Sequence, residues 1–309
     1  MNILMAMFGA VSQGLMWATL ALGVYITFRI LNFADMSCEG SFALGGSVSA
    51  VLMVKMGMNP FITVIIATLA GMMAGVITGF LHTKLKIPAI LSGILTMIGL
   101  YSINLRIMGQ ANTSLIGQTT MVSIIRKILP DPEAIGIKDS TLQTWVVLGI
   151  GFVFTVAIIG LLYWYFGTEI GSCIRATGNN ETMVRAQGVN TDQMKILGLV
   201  ISNGLIALSG ALVTQSQGFA DVKMGVGAIV IGLASIVIGE VIFLRPRNFA
   251  SRLLSIMIGS VIYRIIIAIV LQLGLNTDDL KLFTAIVVAI ALSIPILKKN
   301  RAVVRKGAI

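Results

Sequence analysis

The sequence predicts an all-α, polytopic membrane protein that folds as a bundle of about nine transmembrane helices. Apolar residues make up 57% of its 309 residues and charged residues only 11%, and the mean hydropathy is +0.97. A soluble domain of this length does not have such a composition. The apolar runs are long and continuous, whereas a membrane β-barrel needs segments of about ten residues with alternating polarity.

A helix crosses the hydrocarbon with about 20 mostly apolar residues. Windows of this kind fall at residues 7 to 29, 60 to 81, 88 to 108, 142 to 165, 194 to 216, 224 to 243, 252 to 274 and 281 to 297, and a shorter glycine-rich window at 40 to 56 makes nine. The first window lacks the positive flank of a signal peptide, so we expect it to remain as the first membrane helix. Residues 1–309 then form a single transmembrane domain.

Lysine and arginine collect on one side of the membrane when nine segments are threaded in order. Cytoplasmic loops retain positive charge, which makes that side the cytoplasm, the N-terminus external and the C-terminus cytoplasmic. The basic residues on that side are Lys84, Lys86, Arg175, Arg185, Arg245, Arg247, Arg252, Lys298, Lys299, Arg301, Arg305 and Lys306. Arg126 and Lys127, in a longer external loop, are exceptions. This bias and the anionic lipid surface account for the net charge of +10 without nucleic acid.

The sequence carries no pattern that predicts catalysis. It has no GxxxxGK[ST] phosphate loop, no HExxH and no CxxC, and its single histidine, His82, leaves no triad. We therefore expect no enzyme active site, no metal site and no cofactor bound by this chain.

The segment after the first window has the character of a broken helix. Asp35 and Ser37 are good residues for a helix start, and Glu39 follows in the first turn. Unpaired backbone at membrane depth is tolerated only when it is buried in protein or faces a watery cavity, so the break should face inward. Glu39 has two readings, a position on a solute pathway or a partner for Lys or Arg at the interface.

A short motif occurs twice at the same spacing. Ala21-Leu22 precedes Phe33-Ala34-Asp35, and Ala207-Leu208 precedes Phe219-Ala220-Asp221. The helices leading into the two copies are the first and the sixth, so the copies would run in opposite directions across the membrane. Inverted repeats of this kind often form a transport site at their interface, which predicts an inverted internal repeat here.

Residues 167–192 form a charged, glycine-punctuated loop between two apolar windows. Asn180 is suited to cap a short helix, Glu181 is favourable in its first turn, and Gly188 can end it. A helix of about two turns is marginal by itself in water. We therefore expect it to pack against another surface, for which a partner subunit is a candidate.

This loop resembles that of the permease subunits of bacterial ABC importers, of the ribose and branched-chain amino acid type. The resemblance rests on Ile174-Arg175-Ala176, Gly178-Asn179, Ala186, Gly188-Val189 and a later Ser-Gly-Ala-Leu step, and it is nearest to the tryptophan and tyrosine branch. It implies that 167–192 is a cytoplasmic coupling loop seated in an ATPase groove. The implied coupling residues are Arg175, Ala176, Gly178, Asn179, Glu181, Met183, Val184, Arg185 and Gly188, with the two arginines as polar contacts and Met183 and Val184 as apolar anchors.

The resemblance also implies an assembly in the bacterial cytoplasmic membrane. Two permease copies, as a homodimer, would pair with cytoplasmic ATP-binding subunits that hold ATP and Mg, and an extracytoplasmic substrate-binding lipoprotein would deliver a small solute. An amino acid, with aromatic ones among the candidates, is the expected solute. A sugar or nucleoside is the alternative within the same architecture, and an ATP-independent secondary transporter is the alternative outside it.

Polar residues in or beside the apolar windows are candidates for a translocation pathway. These are Asn32, Asp35, Ser37, Glu39, Ser41, Asn104, Asn203, Gln215 and Gln217. Two charged residues within windows should be paired or hydrated. We expect Glu240 to meet Arg245 or Arg247, and Arg264 to face an acidic side chain or helix carbonyls inside the bundle.

Overall fold

The computed structural model describes residues 3–129, 139–243 and 248–272, with isolated positions between 282 and 293. Within these ranges the chain forms eleven α-helices, one π-helical segment and two short strands. The helices are α1 (Ile3–Tyr25), α2 (Cys38–Met56), α3 (Pro60–Thr83), α4 (Ala89–Met108), α5 (Met121–Ile128), α6 (Asp139–Gly167), α7 (Glu169–Asn179), α8 (Glu181–Ala186), α9 (Thr191–Gln217), α10 (Ala228–Ile242) and α11 (Phe249–Gln272). The π-helical segment is Ile26–Ile30, and β1 (Asn112–Ser114) pairs antiparallel with β2 (Phe219–Asp221).

Six of the described helical stretches are long and apolar enough to cross a membrane, judged by length and composition alone. They are Met5–Ile30, Pro60–Thr83, Ala89–Met108, Asp139–Gly167, Thr191–Gln217 and Phe249–Gln272. The expected window at 40 to 56 is a helix, α2, and the window at 224 to 243 becomes helical only at Ala228. The ninth window, 281 to 297, lies outside the continuously described residues, as do Arg245, Arg247 and the C-terminal basic cluster.

Helix α9 lies at the centre of the bundle and packs against α1, α2 and α3. It is the most buried of the six candidate spans. Helix α1 contacts α6, α10 and α11 on its other sides. One large apolar cluster runs through α1, α2, α6 and α9, and includes Leu20, Phe42, Leu162 and Leu199.

The outer helices expose large apolar side chains in number. Ile65 and Met73 of α3 and Val153 and Trp164 of α6 are all more than half exposed. Soluble proteins rarely expose contiguous apolar patches of this kind. These faces therefore suit contact with the hydrocarbon of a lipid bilayer, as the composition predicts.

The bundle has two distinct ends. At one end, Gly178 of α7 lies against Ile30, Phe33 stacks on His82 at the end of α3, and Arg175 lies over the ring of Phe249 at the start of α11. We call this the α7–α8 end. The other end carries β1, β2 and α5, and we call it the strand end; the all-α prediction missed its small sheet.

Close approach of α2 and α9 depends on glycine. A Cβ atom at Gly45 would lie 1.9 Å from the carbonyl oxygen of Ala207, and one at Gly210 would lie 2.0 Å from that of Phe42. These distances are far below van der Waals contact, so each helix presses its backbone against the other where a side chain is absent. Small residues serve the same purpose in membrane helix pairs generally.

Gly210→Ala should lower the melting temperature in detergent, because the added methyl group forces α9 away from Phe42. Overpacking of this kind costs about 1–3 kcal/mol. The matched control is Gly149→Ala on α6, where nothing lies within 4 Å of the new Cβ atom, and helix propensity alone favours alanine by about 1 kcal/mol. Equal melting temperatures for the two variants would contradict this packing account.

Candidate functional site

The helix break lies between Ile30 and Cys38, and Phe33, Asp35 and Ser37 within it are buried, so it faces inward as the sequence predicts. Asp35 is fully buried. Its Oδ1 atom accepts hydrogen bonds from the Ser37 backbone N–H at 2.9 Å and the Ser37 hydroxyl at 2.5 Å. Its Oδ2 atom accepts from the Asn203 side-chain amide at 2.9 Å. The chain can therefore reverse inside the bundle, because the carboxylate meets three donors.

The side-chain oxygen of Asn203 forms a second link between α9 and the break. Its Oδ1 accepts hydrogen bonds from the hydroxyls of Ser41, at 2.6 Å, and Ser37, at 3.1 Å. Asp35, Ser37, Ser41 and Asn203 thus form one buried polar network. The sequence placed all four among the pathway candidates, and the structure brings them together.

The other pathway candidates lie elsewhere. Glu39 accepts from the Gly227 backbone N–H at 2.9 Å, before α10, and no Lys or Arg pairs with it among the described residues. Asn104 donates to the Gly40 carbonyl at 3.3 Å. Gln215 is buried at the strand end, where it accepts from the Met121 N–H and donates to the Pro60 carbonyl. Their roles in translocation stay predictions.

Two candidates are exposed, one at each end of the bundle. Asn32, whose φ of 53° is unusual for a residue other than glycine, lines a cavity at the α7–α8 end with Arg29, Arg175 and Arg252. Gln217 lines a cavity at the strand end. Among the described residues, neither side chain hydrogen-bonds to the buried network.

The two copies of the repeated motif share a local turn. Asp221 Oδ1 accepts from the Lys223 backbone N–H at 2.7 Å, as Asp35 Oδ1 accepts from Ser37. A helix follows each turn. The surroundings differ, however, because Asp35 is buried between helices whereas Asp221 is half-buried in β2. The inverted repeat stays a prediction.

The short helix α8 forms where the sequence predicts it. Asn180 caps it by accepting from the Met183 backbone N–H at 3.0 Å, and Gly188, at φ 85°, follows its end. The preceding segment is more ordered than the expected loop, since residues 169–179 form helix α7. Ile170, Ile174 and Thr177 show the spacing of one helical face, a signal that sequence reasoning missed.

Helix α8 is fixed by its own chain. Glu181 accepts hydrogen bonds from Lys195 at 2.7 Å, Arg185 at 3.1 Å and the Thr191 hydroxyl at 3.2 Å. The hydrogen bond from Lys195 is the largest cause of a lowered Glu181 pKa. The ion pairs join α8 to the first turns of α9. The surface that this short helix needs is therefore supplied in part by α9, a contact that the sequence does not indicate.

The expected apolar anchors of α8 face different ways. Met183 is 46% exposed and available to a partner. Val184 is 1% exposed and packs inside the chain, which corrects the expectation that it anchors a partner. Arg185 is exposed but already engaged with Glu181, Thr191 and Asp192.

The rest of the expected coupling residues belong to α7. A Cβ atom at Gly178 would lie 1.8 Å from the Ile30 carbonyl oxygen, so α7 presses directly on the π-helical segment before the break. Ala176 is half-buried and Asn179 exposed. Arg175 donates to the Ser172 hydroxyl at 3.2 Å and lies 5.6 Å from the centre of the Phe249 ring.

The charged residues within the windows have partners that the sequence did not indicate. Glu240 pairs with Arg29 at 2.5 Å. The expected partners, Arg245 and Arg247, lie outside the described residues. Arg264 lies 4.2 Å from the centre of the Trp17 ring. Within the described ranges no carboxylate pairs with it, and the aromatic ring supplies a cation–π contact; the expectation of an acidic side chain or helix carbonyls stays a prediction.

Known proteins resemble this chain along most of its length. A family described as "Branched-chain amino acid transport system / permease component" matches residues 6–293. A tyrosine transport system permease protein of Clostridioides difficile (strain R20291) is 40% identical over 277 residues, which are 90% of this chain and 87% of that protein. An uncharacterised protein of Rickettsia prowazekii (strain Madrid E) is 35% identical over 95% of this chain and 98% of its own length. A ribose import permease protein of Haemophilus influenzae is 27% identical over 64% of this chain and 57% of that protein.

Asn203→Ala should destabilise the bundle, because it removes the donor to Asp35 and the acceptor for two serine hydroxyls. Leaving a buried polar group unsatisfied costs about 1–3 kcal/mol, and the melting temperature in detergent measures the effect. Gln217→Ala, at an exposed position in the last turn of the same helix, is the control and should change little. An unchanged melting temperature for Asn203→Ala would contradict the network.

Acid should loosen α8. Because the folded-state pKa of Glu181 lies below its ordinary value, the ionised carboxylate stabilises α8 at neutral pH, and this contribution disappears as the pH falls through the lowered pKa. The side chain is 36% exposed, so solvent screening limits the effect to under about 1 kcal/mol.

Hydrogen exchange of residues 181–187, corrected for intrinsic rates, tests this expectation. Exchange in Glu181→Gln at neutral pH should be about 2- to 5-fold faster than in the parent, as for loss of an exposed ion pair, and should lose its rise at acid pH. If both proteins show the same acid dependence, another group controls α8.

Proposed function

The chain belongs to the family of permease components of branched-chain amino acid transport systems, and from this we propose that it is the membrane-spanning subunit of an ATP-driven importer of a small solute. The observation that supports this most is α8, a capped two-turn helix that presents Met183 at the α7–α8 end. A helix of this kind suits docking into a groove of a separate ATP-binding subunit.

Contacts that α7 and α8 make with the rest of the chain can transmit a movement of these two helices into the bundle. Glu181 ties α8 to Lys195 of α9, and Asn203, two turns further along α9, holds the break through Asp35. Gly178 of α7 presses on Ile30 from a second direction. Displacement of α7 and α8 by a closing partner would therefore act on the break from two sides, through the π-helical segment before it and through α9, as alternating access requires.

The proposed assembly supplies what this chain lacks. Cytoplasmic subunits would bind ATP and Mg and perform the hydrolysis, so this chain would need no catalytic site of its own. An extracytoplasmic binding protein would deliver the solute at the strand end, and a second copy of the chain would complete a homodimer with a two-fold axis. Arg175 and Arg185, near the outer surface of α7 and α8, are candidates for polar contacts.

The proposed orientation places the α7–α8 end in the cytoplasm. Lys84, Lys86, Arg185 and Arg252 lie at this end, and the positive-inside rule favours the side that carries such residues. In that orientation α1 enters from outside and α9 runs from the cytoplasm outward.

The proposed solute is an amino acid, with aromatic ones favoured. The support is the similarity to a tyrosine transport permease, the relative with 40% identity described above. The ribose import permease covers less of the chain at lower identity, so a sugar is the weaker candidate. Uptake that persists without any ATP-binding subunit would instead favour a secondary transporter.

Met183→Asp tests the docking role of α8. The Met183 side chain is 46% exposed and makes no hydrogen bond to the described residues, so a carboxylate there should leave folding intact and weaken binding to an apolar groove. We expect co-purification of the ATP-binding subunit and solute uptake to fall by at least about tenfold, the effect of losing about 1.4 kcal/mol of binding energy.

Met56→Asp is the control. Met56 is an exposed methionine at the other end of the bundle, so the same substitution there should keep both activities. Reversal of charge at Arg185 is a less clean test, because it would also place an acidic group beside Glu181 and Asp192. Normal uptake and normal co-purification in Met183→Asp would contradict the docking role.

A further inference from the structure

A cavity of about 260 Å³ opens at the strand end between α1, α2, α9 and the segment after β2. Its volume is near the lower limit for small-molecule sites, which suits a single small solute. Six of its lining residues matter here: Trp17, Phe42, Gln217, Phe219, Asp221 and Lys223.

Two oppositely charged residues, Asp221 and Lys223, line this cavity two positions apart in the sequence. Asp221 is held in β2 by the pairing with Asn112, and its Oδ1 atom accepts from the Lys223 backbone N–H. Within the described part of the chain, neither the Asp221 carboxylate nor the Lys223 ammonium group has an ion-pair partner within 4 Å. The wall thus presents a fixed negative group and a positive group that remain available to a ligand.

The inner part of the cavity is aromatic. The ring of Trp17 lies 4.8 Å from that of Phe42, and Arg264 lies over Trp17 from α11. Phe42 is fully buried behind Trp17, so the apolar surface left for another ring is that of Trp17 and of Phe219, which is 42% exposed.

Trp17 also carries a donor without an acceptor. Its side chain is 7% exposed, and its Nε1–H has no hydrogen-bond partner among the described residues. A buried donor that is unpaired costs about 1–3 kcal/mol, and such groups in native structures call for a physical explanation.

We propose that this cavity binds a zwitterionic amino acid with an aromatic side chain at the outer mouth of the permease. Asp221 contacts the α-ammonium group, Lys223 contacts the α-carboxylate, and the solute's ring packs on Trp17 and Phe219. This rests on the proposed import function and names its substrate class from the chain's own residues. A sugar offers neither charge, so the site discriminates against it.

The proposal is tested with L-phenylalanine and two analogues, each of which lacks one of its two charged groups. The probes are L-phenylalanine, phenylethylamine, which lacks the carboxylate, and 3-phenylpropionate, which lacks the ammonium group. The assembled permease is placed in lipid nanodiscs without the binding protein. Replacement of Trp145 and Trp164 by phenylalanine leaves Trp17 as the one reporter among the three tryptophans. We expect L-phenylalanine to change its fluorescence saturably and to bind at least about tenfold more tightly than either analogue.

Each substitution of a charged residue in the cavity should abolish the preference for L-phenylalanine over one of the two analogues. Asp221→Asn should abolish the preference for L-phenylalanine over 3-phenylpropionate, and Lys223→Met should abolish the preference over phenylethylamine. Lys55→Met, an exposed lysine near the same end, should change neither. A general structural defect would weaken all three ligands together. If the tryptophan replacements lower the melting temperature, binding of radiolabelled L-phenylalanine to the parent, competed with each analogue, gives the same comparison.

No saturable binding, or the same ligand preferences in Asp221→Asn and Lys223→Met as in the parent, would overturn the cavity proposal. The import function is judged separately by the Met183→Asp experiment. Loss of coupling in that variant together with no binding here would leave an importer whose solute site lies elsewhere. Binding here with normal coupling in Met183→Asp would leave the solute site standing and remove the proposed ATPase contact.

Discussion

The helix break at residues 31–37 sets the constraint on which the rest of this bundle depends. A chain that reverses inside an apolar bundle must satisfy its backbone and any charged side chain with protein groups. Ser37 satisfies one oxygen of Asp35, and Asn203 satisfies the other and accepts from the Ser41 hydroxyl. Asn203 must therefore lie within hydrogen-bond distance of the break, and α9 is brought against α2 by the glycine contacts at Gly45 and Gly210.

Helix α9 consequently connects features at opposite ends of the molecule. Lys195 near its start binds Glu181 of α8, Asn203 in its middle binds the break, and Gln215 near its end binds the start of α5 and of α3. The cavity with Asp221 and Lys223 begins just beyond its last turn. A helix with these attachments can link an event at the α7–α8 end to the proposed solute site, provided that the partner subunit moves α8.

Features that depend on neighbouring residues could be predicted from the sequence. The Asn180 cap, the end of α8 near Gly188 and the turn at Asp35 follow from residues within three or four positions of one another. The inward-facing break follows from the cost of unpaired backbone in a bilayer. These predictions needed no knowledge of distant contacts.

Features that depend on distant contacts were not readable. The pairing of Glu240 with Arg29 joins residues 211 positions apart, and the stacking of Arg264 on Trp17 requires α1 and α11 to be neighbours. The burial of Val184 beside exposed Met183 depends on how α8 sits on the bundle, since a helix of six residues has too few apolar positions to define a face. The strands β1 and β2 have three residues each, too few for an alternating pattern.

The link from α8 to the break through α9 is tested most directly by hydrogen exchange of the permease bound to its ATP-binding subunit, measured with and without ATP and Mg. We expect the amides of Phe33 and Ser37 in the break to change their protection from exchange together with those of residues 181–187 in and just after α8. Protection that changes in α8 while the break remains unaffected would contradict the link through α9.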